Sequence, residues 1–202
     1  MSGAKIKICG LTRTCDAEYV NLAMPDYAGF VFCDKSRRNI AFEQAKQLRQ
    51  ALHPAIQTVG VFVDAKVEQI ASLYSEGIIT TIQLHGEEDG DSFARLRVLA
   101  PDAEIWKAFP IRSEKDVRDA EECAADMVLL DSGGGTGKPF DWSLIEGFPR
   151  LFVLAGGLNP ENIAEAVGRF HPYAVDVSTG VEKDGFKDFQ KIMAAVKAAR
   201  GR

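Results

Sequence analysis

The 202-residue sequence predicts an α/β fold, a closed parallel (βα)8 barrel. Three observations carry this reading. Eight short apolar runs rich in β-branched and aromatic residues recur along the whole chain, roughly one every 20 to 30 residues. Segments with apolar residues at helical spacing lie between them. The runs are almost continuously apolar, as strands covered on both faces are. Eight such units fit closure into a barrel, although its typical length is about 250 residues. The competing open, doubly wound sheet usually has fewer strands. No composition shift divides the chain, so residues 1–202 are read as one barrel domain.

In order, the strand-like runs are Lys5–Cys9, Tyr27–Phe32, Thr58–Val63, Ile78–Leu84, Glu104–Phe109, Asp126–Asp131, Leu151–Ala155 and Tyr173–Val177. Phe42–Leu52 places Ala45, Leu48, Ala51 and Leu52 at helical spacing, and Ala65–Glu76 does so with Val67, Ile70, Ala71 and Tyr74. Phe186–Arg200 aligns Phe189, Ile192, Met193, Val196 and Ala199 on one side. Asn159 can cap a helix whose first residue is Pro160, where proline loses no useful hydrogen bond.

The barrel is organised around Leu151–Gly180. Two consecutive strands there end in small residues, Gly156-Gly157 and Ser178-Thr179-Gly180. Small residues let backbone N–H groups approach a ligand, and aligned N–H groups attract an anion. Two such loops at the last strand ends are the usual phosphate grip of a (βα)8 barrel. The same rule collects other candidates at one mouth: Cys9, then Ser36-Arg37-Arg38, Gln83 and His85, Asp131, and Asp176 with Ser178. The glycine-rich stretch Ser132–Pro139 is no nucleotide loop. Ser132 stands where a Walker loop needs glycine, and Pro139 where it needs serine or threonine. Gly133–Lys138 is expected to act as a flap that closes on substrate.

Composition narrows the class of function. The net charge of −5 argues against a general nucleic-acid binder, yet leaves room for a locally basic site. No apolar run reaches the roughly 18 residues of a membrane span, and no signal-peptide core opens the chain. Cys9, Cys15, Cys33 and Cys123 form no Cys-x-x-Cys pair, and His53, His85 and His171 form no His-Glu-x-x-His pattern. The expectation is a cytoplasmic protein with free thiols and neither zinc nor disulfides.

Cys9 at one strand end and Asp131 at another are a possible acid–base pair. Nearby cations or helix N-termini can bias a thiol toward the thiolate, and a desolvated carboxyl can keep its proton. Residue type alone does not assign either one, since a free cysteine packs as a small hydrophobe and an aspartate after a strand often caps a helix. Arg38 can hold a carboxylate in a two-pronged fork.

Lys7-Ile8-Cys9-Gly10-Leu11-Thr12-Arg13, Gly29–Phe32, Val59–Val63, Gln83-Leu84-His85-Gly86, Leu129-Leu130-Asp131, Gly134–Gly137 with Phe140-Asp141-Trp142, Ala155–Pro160 and Val175–Glu182 follow one another in a distinctive order. With these motifs the chain resembles the phosphoribosylanthranilate isomerase family of tryptophan biosynthesis, from Lys5 to Ile192. The resemblance implies a (βα)8 barrel that performs an Amadori rearrangement on a small phosphoribosyl substrate. It implies Asp131 as general acid, Cys9 as general base and Arg38 at the anthranilate carboxylate, and it implies no metal or organic cofactor. Gln83, His85 and Asp176 are expected to bind substrate, and Gly156, Gly157, Ser178, Thr179 and Gly180 its phosphate. A monomer is the working assumption. One departure stands out: Arg37 occupies a position where the family usually has proline, and a charge on such a loop is expected to be solvated and idle. Other phosphosugar barrels, indole-glycerol-phosphate synthase and the related histidine-pathway isomerase, are the nearest alternatives. The histidine-pathway enzyme uses paired aspartates, against which Cys9 speaks.

Overall fold

The computed structural model describes residues 3–133 and 140–201. Eight parallel strands close a barrel in chain order: β1 Lys5–Cys9, β2 Tyr27–Phe32, β3 Gln57–Phe62, β4 Thr81–Leu84, β5 Glu104–Pro110, β6 Met127–Asp131, β7 Phe152–Leu154 and β8 Ala174–Val177. β1 is the seam. It pairs with β2, Cys9 opposite Gly29, and with β8, Lys7 opposite Asp176. The chain ends are tied beneath it, where the Ala4 N–H donates to the Ala199 carbonyl at 2.9 Å.

The outer layer holds α1 Thr14–Ala23, α2 Phe42–Ala51, α3 Val67–Ser75, α4 Gly90–Leu99, α5 Glu114–Glu122, α6 Ile163–Phe170 and α7 Phe189–Ala199. Among the described residues, the β6–β7 connection contributes only a 3-10 turn, Trp142–Ile145. Strand residues alternate between two cores. Ile6, Ile8, Ile82, Leu84, Ile105, Val128 and Leu130 face the helices. Tyr27, Val59, Trp106, Leu129 and Val153 fill the barrel. Burial of this apolar surface is the main term holding both layers together.

Several elements differ from the sequence reading. Ile78 and Ile79 are buried but belong to the turn after α3, with both N–H groups directed at the Leu73 carbonyl, so β4 starts at Thr81. An apolar run reports burial, not pleat. Pro160 lies in a turn before α6, which begins at Ile163. Asn159 still caps that turn, accepting from the Glu161 and Asn162 N–H groups through its side chain. Phe186 and Lys187 are not helical. They form β10, antiparallel to β9 Glu182–Lys183. Asp184 and Gly185, at φ 53° and 85°, supply the positive φ that a two-residue hairpin turn demands. The expected flap, Gly133–Lys138, lies outside the described residues apart from Gly133. Among the described residues no helix is long and apolar enough to cross a membrane.

Candidate active site

The strand C-termini ring a cavity of about 460 Å³. Cys9, Arg38, Gln83, His85, Asp131, Gly156, Gly157, Asp176, Ser178, Thr179 and Gly180 all line it.

Alternation along β1 puts Lys7 and Cys9 on the same, inward face. Room for them comes from Gly29 on β2, where a Cβ would stand 2.9 Å from Cys9 Sγ and 3.0 Å from Lys7 Cε. Lys7 is fully buried, and its Nζ donates to Gln83 Oε1 at 2.7 Å and to Asp176 Oδ2 at 2.8 Å. Burial works against the Lys7 ammonium, but Asp176 and Cys9 outweigh it and hold its proton above the ordinary lysine value. Asp176 Oδ1 is buried against the cavity with no partner among the described residues.

The expected bias of Cys9 toward thiolate does not hold in the free protein. Burial lifts the thiol above its ordinary value, Asp176 adds to that, and the opposing pull of Lys7 and Lys187 is too weak to reverse it. Iodoacetamide labelling of the Cys9 peptide, followed by mass spectrometry, should therefore show a pH midpoint above that of an ordinary thiol. A midpoint below it would mean that the two lysines dominate.

Asp131 ends β6. Its Oδ2 accepts the Gly133 N–H at 3.1 Å and faces His85 Nε2 at 3.7 Å. Burial pushes the carboxyl up, but His85 and the backbone N–H groups of Gly133 and Ser132 outweigh it and hold Asp131 below the usual carboxylate range. Without substrate it is therefore a carboxylate, not the proton-bearing acid expected from desolvation alone.

The basic side of the mouth is built on Glu182, a carboxylate whose side chain is only 5% exposed. Arg38 Nε meets Glu182 Oε1 at 2.7 Å and Nη2 meets Oε2 at 3.0 Å, while Nη2 also donates to Thr179 Oγ1 at 2.9 Å. Gly10, at φ 82°, clears the path of the Arg38 stem, since a Cβ there would stand 2.4 Å from Arg38 Cδ. Arg37 is not idle: its Nη2 lies 2.5 Å from Glu182 Oε2, although the side chain is 57% exposed. Lys187, carried in by the β9–β10 hairpin, donates to Glu182 Oε1 at 2.9 Å and to the Ser178 carbonyl at 3.0 Å. Burial works against the Glu182 carboxylate, yet Arg38 and Lys187 hold its proton affinity below the ordinary value.

The β7 and β8 loops touch. A Cβ on Gly180 would stand 2.0 Å from the Leu158 carbonyl, and one on Gly156 2.3 Å from the Ser132 nitrogen. Gly156 and Gly157 also have φ of 83° and 69°, which side chains rarely adopt.

The sequence reading did not assign Lys7, Glu182 or Lys187. Lys7 had a signal, a lysine inside an apolar strand and two residues before Cys9. Lys187 had only the indirect one of Asp184-Gly185, the hairpin turn that delivers it.

Comparison with known proteins places the chain in a family. Residues 6–198 match the profile described as N-(5'-phosphoribosyl)anthranilate (PRA) isomerase. The isomerase of that name from Endomicrobium trichonymphae is 46% identical, covering 97% of this chain and 98% of its own. The one from Acetivibrio thermocellus is 43% identical, covering 96% and 95%. The crystal structure of the phosphoribosyl anthranilate isomerase of Thermotoga maritima superposes with a TM-score of 0.89 at 39% identity, covering 98% of this chain and all of that one. A further isomerase structure, in complex with reduced 1-(o-carboxyphenylamino)-1-deoxyribulose 5-phosphate, has a TM-score of 0.86 at 37% identity and covers 98% of this chain and 100% of its own. The chain belongs to the N-(5'-phosphoribosyl)anthranilate isomerase family.

Proposed function

We propose that Cys9 and Asp131 are the base and the acid with which this isomerase of tryptophan biosynthesis rearranges N-(5'-phosphoribosyl)anthranilate to 1-(2-carboxyphenylamino)-1-deoxyribulose 5-phosphate. The supporting observation is that a thiol and a carboxyl face one cavity from β1 and β6, with the small-residue loops of β7 and β8 between them. Asp131 protonates the ribose ring oxygen. The C1'–O4' bond breaks as the nitrogen lone pair forms a C1'=N bond, giving a Schiff base. Cys9 thiolate then takes the C2' proton, and the released pair moves through C1' to the nitrogen, giving an enolamine. In the last step C1' gains a proton and the 2'-hydroxyl loses one, leaving the ketone.

The remaining groups bind and orient the substrate. The phosphate lies between Gly156-Gly157 and Ser178-Thr179-Gly180, where backbone donors and the absence of side-chain bulk suit an anion. Arg38 takes the anthranilate carboxylate through Nη1, because Nε and Nη2 are engaged by Glu182 and Thr179. The unpartnered Asp176 Oδ1 accepts a ribose hydroxyl, which removes the cost of leaving a buried acceptor unpaired. Four free cysteines support the reading of a reducing cytoplasm as the place where the enzyme works.

Loss of substrate fluorescence tests the reaction. The purified chain should turn over phosphoribosylanthranilate, with inorganic phosphate as a competitive inhibitor. Gly157→Val, which forces a β-branched residue to positive φ, should weaken that inhibition more than Ser178→Ala does. Noncompetitive behaviour of phosphate would move the anion away from these loops.

A further inference from the structure

His85 is joined to the buried Lys7 ammonium through Gln83, and the polarity of that chain is fixed. Lys7 has three donors and no acceptor. The Gln83 atom 2.7 Å from Lys7 Nζ must therefore be its carbonyl oxygen. That turns the Gln83 amide nitrogen, a donor only, toward His85 Nδ1 at 3.1 Å. Nδ1 must accept and so carries no proton. A neutral imidazole then holds its proton on Nε2, the nitrogen facing Asp131 Oδ2 at 3.7 Å.

We propose that His85 is the positioning residue of the general acid, locked by Lys7 and Gln83 as the Nε2–H tautomer. The proposal rests on Asp131 being that acid. Its consequence concerns the two carboxyl oxygens. Gly133 N–H and His85 Nε2–H both address Oδ2. Oδ1 is thus the oxygen that carries the proton to the substrate ring. Contacts of this kind are often long without substrate and tighten in the Michaelis complex. The buried ammonium of β1 in this way sets the orientation of the acid on β6, without touching it.

Nitrogen-15 NMR of histidine-labelled protein reads the tautomer directly, independently of turnover. With His53, His85 and His171 present, the His85 signals are those lost in His85→Gln. At neutral pH, His85 Nδ1 should resonate as a bare nitrogen and Nε2 as a protonated one. Gln83→Glu places an acceptor opposite Nδ1 and should protonate it. In kinetics, His85→Leu should lower kcat about tenfold, roughly the worth of one charge-assisted hydrogen bond. KM should change little. His85→Gln, which offers an amide N–H toward Asp131, should restore most of that loss. A protonated Nδ1 in the unmodified protein overturns the proposal, and so does His85→Gln performing no better than His85→Leu. If the tautomer is as stated but Asp131→Asn remains active, the acid assignment fails and the hydrogen-bond chain stands.

Discussion

Cys9→Ser is expected to lower kcat by about three orders of magnitude, within the range that general acid–base groups contribute. Serine keeps the shape of the β1 end, but its hydroxyl is far less acidic than a thiol, so the C2' proton finds no base. Binding of a reduced product analogue should change little, because the proposed phosphate, carboxylate and hydroxyl contacts lie elsewhere. The pH profile sharpens this. Cys9 is raised and Asp131 lowered in the free enzyme, so thiolate beside carboxylic acid is a minority form at every pH. Its fraction is constant between the two values. It falls below the Asp131 value, where the thiol is increasingly protonated, and above the Cys9 value, where the acid is lost. The expected kcat/KM profile for the native enzyme is a broad plateau with both limbs displaced outward. Near-native kcat in Cys9→Ser would remove the thiol from the chemistry.

The second large effect is on stability. Glu182→Gln should destabilise the protein by about 3–5 kcal/mol, the cost of removing one partner from a buried ion pair. Arg38 and Lys187 would then face each other across a neutral amide, with Lys187 only 1% exposed. For a chain of this size that is a fall in Tm of about 10 °C. The double variant Glu182→Gln, Lys187→Met should recover part of the loss, because the two sites share one contact. The carboxyl of Glu182 is depressed in the folded state. Its contribution is therefore fully present above the ordinary carboxylate range and is lost as pH falls through the depressed value. The native protein should lose stability over that acid window, and Glu182→Gln should lose less there. An unchanged Tm would mean that the cluster contributes only orientation.

The barrel was legible because its signal is redundant. β1 and β2 match the sequence-defined runs Lys5–Cys9 and Tyr27–Phe32 end to end. Other strands shift by one to three residues, most at β4, where the apolar Ile78 and Ile79 serve a turn. The candidate site was legible as a set of strand ends, since closure brings those ends to one rim. Its electrostatics were not. Whether Cys9 is a thiol depends on burial set against Lys7 and Lys187, and the latter arrives from 178 residues downstream through a hairpin that the helical pattern of Phe186–Arg200 obscured. Arg37 looked idle because charge on a loop usually is, yet Glu182, 145 residues away, engages it.

The β1–β8 seam also governs when the protein becomes useful during its own synthesis. The strand carrying Cys9 emerges first. Its partner for Lys7, Asp176, lies 169 residues later. Until β8 is made, β1 has one unpaired edge and a buried-type lysine with no counter-ion. That is a non-local contact of the slow kind, and an open strand edge invites wrong pairing. A form cut short before β8 lacks Asp176 and the β8 loop, so the mouth around Cys9 stays incomplete in it. Enzymatic turnover marks a chain whose two ends have met.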